Sequence, residues 1–166
     1  YIMNIEKRQW TEARDALKAE YKLTPSRFDI LHEVGKTSIM LRDYATARIC
    51  FDSALSAMHR VGLDIVRHDY LYIGSAYEKT GDPGKAAYYI REFKSYADND
   101  LTMYKDLNLA MYYLYMGDKR KGLDLITRFA EQQDNFNYLV LLCSEDPDLG
   151  ELKNDPAFRS AMDKIS

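Results

Sequence analysis

Cysteine, histidine and proline are scarce in this chain, and each scarcity removes a class of function. The two cysteines, Cys50 and Cys143, lie far apart in helical patterns with no paired spacing. That excludes a disulfide scaffold or a cysteine zinc site and leaves them as buried free thiols. Of the three histidines, His32, His59 and His68, none sits four residues from another as a helical metal pair would. No Gly-x-Ser-x-Gly elbow, phosphate-binding glycine loop or dinucleotide fingerprint occurs, so no catalytic residue, metal or cofactor is expected. Charge of one sign is missing too: 23 Lys and Arg against 26 Asp and Glu give a net charge of -3, too little to gather nucleic acid or an anionic membrane. No stretch approaches the roughly 20 apolar residues of a membrane span, and no basic region with an apolar core opens the chain. A soluble, cytoplasmic protein is the expectation. The chain starts at Tyr1 rather than Met, which reads as a piece of something longer.

What the sequence does have is periodicity. Over 67–97 it reads Tyr70-x-x-Ile73-Gly74-x-x-Tyr77, then Gly81-Asp82, then Ala86-x-x-x-Ile90-x-x-Phe93. Three- and four-residue steps place each group on one stripe of a helix. Gly81 suits the left-handed residue that closes the first helix, and Asp82 with Pro83 suits the cap and first position of the second. Gly74 and Ala86 are small where the two helices must approach.

The same spacing recurs. Gly35, Asp43 and Ala47 match Gly74, Asp82 and Ala86, with Arg42 in the place of Gly81 and Ser38 in that of Tyr77. Tyr44, Phe51 and Ala54 complete the stripe of that second helix. Trp10, Ala13 and Leu17 form an earlier second-helix stripe, ended by Pro25, while Ala110, Tyr113, Gly117-Asp118, Gly122, Ile126 and Phe129 form a later unit with Ala and Gly exchanged. From Ala13 to Ala47 is 34 residues, from Ala47 to Ala86 39, and from Ala86 to Gly122 36. The surplus in the middle step falls near Met58 to Asp64, where Leu55, Met58 and Leu63 are expected to bury longer helices around a bend at Gly62. A binding loop is the other reading of that insertion. After Gln133 a short apolar helix is expected over 136–144, then a turn-rich acidic stretch. Asp155-Pro156 caps a last helix carrying Phe158, Met162 and Ile165. Asp146, Asp148, Glu151 and Asp155 crowd this stretch, but not at the spacing of an EF-hand calcium loop.

This pattern resembles a tetratricopeptide repeat, and the tail Asp146-Pro-Asp-Leu-x-x-Leu-x-x-Asp-Pro-x-Phe resembles the segment that ends many bacterial arrays of such repeats. The resemblance implies an all-α fold, a right-handed alpha-alpha superhelix closed by a C-terminal capping helix. Residues 1–166 would form one domain: an incomplete repeat over 1–27, repeats over 28–66, 67–99 and 100–133, and a terminal cap over 134–166. It also implies a protein-interaction module that receives a peptide or partner helix in a concave groove. Positions beside the packing stripe would line it: His32, Lys36, Met40, His68, Leu71, Tyr72, Ser75, Lys79, Tyr104, Asn108, Met111 and Tyr115. Alternatively, part of this set packs on neighbouring first helices. The family groove that grips chaperone tails by their terminal carboxylate uses lysines, asparagines and an arginine; here His32, Lys36, Tyr72, Tyr104 and Asn108 offer little charge, so such a tail is not expected to bind. Two further readings stand beside the module. One is a regulatory or sensory domain of a longer bacterial transcription regulator or signalling protein. The other is self-association through the incomplete first repeat, near Trp10 and Leu17.

Overall fold

The structure, a computed structural model, describes residues 9–132 and 145–165. The expected helix over 136–144, Cys143 and the residues before Gln9 lie outside them. The fold is all-α: the described residues hold eight α-helices, two 3-10 stretches and no strand. The helices are α1 (Trp10–Leu23), α2 (Phe28–Met40), α3 (Tyr44–Arg60), α4 (Tyr70–Lys79), α5 (Pro83–Asp98), α6 (Lys105–Tyr115), α7 (Lys119–Glu131) and α8 (Pro156–Ile165). Two compact units, Tyr1–Tyr89 and Ile90–Ser166, meet within α5.

In the first unit α1 packs on α2, α2 on α3 and α3 on α4, and α2 also reaches α4 across the intervening helix. Leu17, Ile30, Val34 and Cys50 form a buried cluster with Tyr21 and Leu31 against it. Trp10, Ala13 and Leu17, the expected first stripe, are all buried. The surplus residues lengthen α3 to 17 residues and add a 3-10 turn, Arg67–Asp69, ahead of α4. Met58 is buried and Leu55 half-buried, but Leu63 is exposed and Val66 takes the interior position instead.

In the second unit α6 packs on α7, α7 on α8, and the 3-10 stretch Pro147–Asn154 touches α6 and α8. Asp155 caps α8 through the amides of Ala157 at 2.9 Å and Phe158 at 3.4 Å, with Pro156 at the first helical position as expected. The acidic stretch is thus engaged in local structure: Asp146 accepts from the amide of Asp148 at 2.8 Å, and Asp155 pairs with Lys119 at 2.7 Å.

Three helix ends are closed in the same way. Arg42, Gly81 and Gly117 adopt positive φ of 57°, 85° and 83°. At each, the amide of the next residue reaches back five positions: Asp43 to the Ser38 carbonyl at 2.8 Å, Asp82 to Tyr77 at 2.9 Å, Asp118 to Tyr113 at 2.8 Å. This is the Schellman closure of a helix. Each of these aspartates then caps the following helix, accepting at 3.2 Å from the amide of Thr46, Lys85 or Lys121. One residue therefore ends the turn with its backbone amide and starts the next helix with its side chain. Gly62 (φ 70°) closes α3 similarly, with Leu63 bonding back to Met58 at 2.9 Å.

The tight crossings pair small with large. A Cβ on Gly35 would stand 2.5 Å from Cε1 of the fully buried Phe51, and one on Gly122 would stand 2.5 Å from Cγ of Leu114. Gly35 and Gly122 hold, in their own hairpins, the places that Gly74 and Ala86 hold in the central one, and each receives a bulky side chain in the space a Cβ would take.

Candidate functional site

The residues expected to line a groove do not behave alike. On α2 nearly every position from Val34 to Met40 is buried, because α1, α3 and α4 surround it. A helix covered on several sides buries the stripe beside its packing face as well. His32 and Lys36 are each only 3% exposed, and Met40, Leu71, Tyr72 and Ser75 are buried too. His68 and Lys79 are exposed. In the second unit Met111 is buried, while Tyr104, Asn108 and Tyr115 are half-buried. The Tyr104 ring lies 6.4 Å from that of Phe129, and Asn108 donates to Asp100 at 2.9 Å. Seven of the twelve thus lie in the interior of their units, the arrangement in which such residues pack on neighbouring helices.

What gathers the α2 members is a carboxylate the spacing did not reveal. Asp69, 3% exposed, ends the 3-10 turn before α4. Ionised, it can only accept, so His32 donates to its Oδ2 through Nε2 at 2.9 Å, and the Lys36 ammonium reaches the same oxygen at 3.1 Å. His68 Nε2 approaches it at 3.4 Å from the solvent side. Glu33 stands 3.5 Å from Lys36 on the outer edge, and the Tyr72 ring lies 6.0 Å from the same ammonium. The His32 ring tilts against Phe51 at 5.2 Å. Its Nδ1 is buried without a hydrogen-bond partner. Burial pushes the Asp69 carboxyl up, but the Lys36 charge and the His32 hydrogen bond outweigh it, and the net shift is well downward. The groups are chemically capable, yet sealed. Their arrangement joins α2 to α4, the first helices of two successive hairpins.

A second polar assembly gathers around the buried Tyr77. Tyr77 donates to Asp52 and stacks on Tyr89 at 5.5 Å, while Tyr70 meets Tyr89 edge-on at 4.9 Å. The Arg48 guanidinium lies 5.0 Å and the Lys85 ammonium 5.1 Å from the Tyr77 ring. Lys121 lies 5.0 Å from the Tyr113 ring, at the equivalent positions one repeat later. Arg14 reaches Asp43 at 2.9 Å and Arg48 reaches Asp82 at 3.3 Å, so two successive hairpins are tied to the next capping aspartate by matching arginines. Burial, then the Asp52 carboxylate, raises the Tyr77 hydroxyl well above its ordinary range, and Tyr89 is pushed up to about 12, first by burial.

Sequence reasoning placed His32 and Lys36 together but missed Asp69. The usable signal was an acid roughly one repeat downstream of both.

No protein-family model, curated protein or solved structure matches the chain.

Proposed function

We propose that the chain is a tetratricopeptide-type repeat module whose work is to present a rigid helical surface to a protein or peptide partner. The observation that carries this reading is the turn repeated three times: a left-handed residue, then an aspartate that both closes one helix and caps the next. The 39- and 36-residue intervals between those turns, the matching Arg–Asp ties and the contact of α2 with α4 across a hairpin support hairpins stacked as a right-handed solenoid. In such a stack, affinity arises from side chains held in place before the partner arrives. Within the expected groove set, the members of the first unit that solvent reaches, His68 and Lys79, carry recognition.

The test is affinity capture by wild type beside a His68→Ala, Lys79→Glu variant, with helicity checked by circular dichroism. A protein retained by wild type and lost by an equally helical variant supports the groove. Equal retention refutes it.

A further inference from the structure

The tyrosines around Tyr77 make a continuous path from solvent to the interior of the first unit. Tyr88 on α5 is 48% exposed, and its ring meets that of Tyr89 edge-on at 5.2 Å. Tyr89, half-buried, stacks on Tyr77 at 5.5 Å with the two planes 6° apart. Tyr77 on α4 is 3% exposed and ends the path. Phenylalanine would serve packing alone at these positions, so the hydroxyls need their own account. The Tyr77 hydroxyl donates to the Asp52 carboxylate on α3. An ionised carboxylate only accepts, so the phenol proton has a base in contact before any reaction begins. The Asp52 side chain is 45% exposed, which gives that proton a way on to water.

A phenol is among the side chains most readily oxidised by one electron, provided its proton leaves with the electron, because the phenol radical cation is a very strong acid. Aromatic rings in contact can pass the electron from one to the next.

We infer that Tyr88, Tyr89 and Tyr77 form an electron relay that carries a one-electron oxidation from the surface to Tyr77, where Asp52 takes the proton. A strong one-electron oxidant in solution first removes an electron from Tyr88, whose proton passes to water. Tyr89 then restores Tyr88, one ring regaining an electron and a proton as the other loses them, and Tyr77 restores Tyr89 in the same way. In the net change the oxidant gains one electron, the Tyr77 O–H bond breaks and an O–H bond forms on Asp52. A neutral phenoxyl radical is left beside a neutral acid. Because the ring ends neutral, the Arg48 guanidinium at 5.0 Å and the Lys85 ammonium at 5.1 Å do not face a positive charge on it. Arg48 loses the Asp52 charge at 3.9 Å but keeps Asp82 at 3.3 Å. The relay is protective: a radical held at the exposed Tyr88 couples with that of a second molecule, whereas one sealed at Tyr77 meets no such partner. The inference is independent of which surface captures other proteins.

The oxidant for the test is photochemically generated tris(bipyridine)ruthenium(III), applied to wild type, Tyr77→Phe, Asp52→Asn and Tyr88→Phe, each checked for native helicity and melting. The readouts are the tyrosyl signal in freeze-quenched electron paramagnetic resonance and the dityrosine-linked dimer, its linkage located by peptide mapping. Wild type should hold a persistent radical and form little dimer through Tyr88. Tyr77→Phe keeps the ring and loses the hydroxyl, while Asp52→Asn keeps an acceptor and loses the base. Each should shorten the signal and raise the Tyr88-linked dimer several-fold. Tyr88→Phe should abolish that dimer and lower the yield of the persistent radical. An unchanged signal and dimer in Tyr77→Phe would overturn the relay, as would wild-type behaviour in Asp52→Asn. A persistent radical formed equally well in Tyr88→Phe would place the entry elsewhere and refute the path.

Discussion

Replacing Asp69 by Asn keeps the shape of the side chain and removes its charge from between α2 and α4. The Lys36 ammonium, 3% exposed, would then lose the carboxylate 3.1 Å from it, with Glu33 still at 3.5 Å. Breaking a buried pair from one side typically costs about 3–5 kcal/mol, because the remaining ion is desolvated without compensation. Glu33 is partly in solvent and compensates a little, which favours the lower end, about 3 kcal/mol. Against a total stability of about 5–15 kcal/mol that is a large loss, and with a urea slope of about 1–3 kcal/mol/M it moves the midpoint by roughly 1–3 M. Lys36→Met in the Asp69→Asn background should recover most of it, since the stranded charge is gone. The cycle therefore gives a double variant more stable than the sum of its parts.

The pH dependence carries the same signature. The folded carboxyl of Asp69 titrates below its unfolded value near 3.9, so its contribution is present above about pH 4 and lost as the pH falls further. Asp69→Asn should flatten that acid limb. An Asp69→Asn loss under about 1 kcal/mol, with Lys36→Met also harmless, would mean a hydrated surface bridge and would refute the sealed cluster.

Gly35→Ala should destabilise by about 1–3 kcal/mol despite the better helix propensity of alanine, because its Cβ meets the fully buried Phe51 ring at 2.5–3.0 Å; chemical denaturation measures it. Arg42→Gly should raise stability by about 0.5–1 kcal/mol, since an exposed L-residue at φ 57° is relieved by more than the flexibility glycine adds to the unfolded chain; thermal melts decide it, and a lower midpoint would contradict the closure. Asp146 is pushed up to about 7, first by burial and then by the Asp148 charge. A raised carboxyl stabilises the fold in its protonated form, so this contribution is complete below about pH 4 and lost as the pH rises through 7. Asp146→Asn should remove that slope from stability measured between pH 5 and 8 while keeping the acceptor for the Asp148 amide.

Much of the helical plan was legible because each decisive residue reports a local geometry. Gly81 and Gly117 stand where φ must be positive, and Asp43, Asp82 and Asp118 stand where amides need an acceptor. Arg42 shows the limit of such reading. It breaks the glycine rule yet adopts the same conformation, because the repeated backbone pattern around it imposes the closure. Leu63 was assigned to the interior by its spacing, but the turn at Gly62 directs the chain so that Val66 is buried instead.

The site was less legible because helical spacing reveals which residues share a face, not how many neighbours cover it. His32 and Lys36 lie one turn apart on α2 and do act together, but inside the unit, through Asp69. Their separations from it are 37 and 33 residues, close to the repeat period. Arg48 finds Asp82 at 34 and Arg14 finds Asp43 at 29. In stacked hairpins a polar side chain facing along the stack meets the next copy of its own surroundings, so its partner lies about one period away. Searching for opposite charges near that offset pairs Arg48 with Asp82 and brings His32 and Lys36 to Asp69, while the Arg14–Asp43 pair falls five residues short of the 34-residue interval. The same logic explains why the buried acid need not look buried locally: its partners reside on the preceding hairpin, and only the stacking of that hairpin removes Asp69 from water.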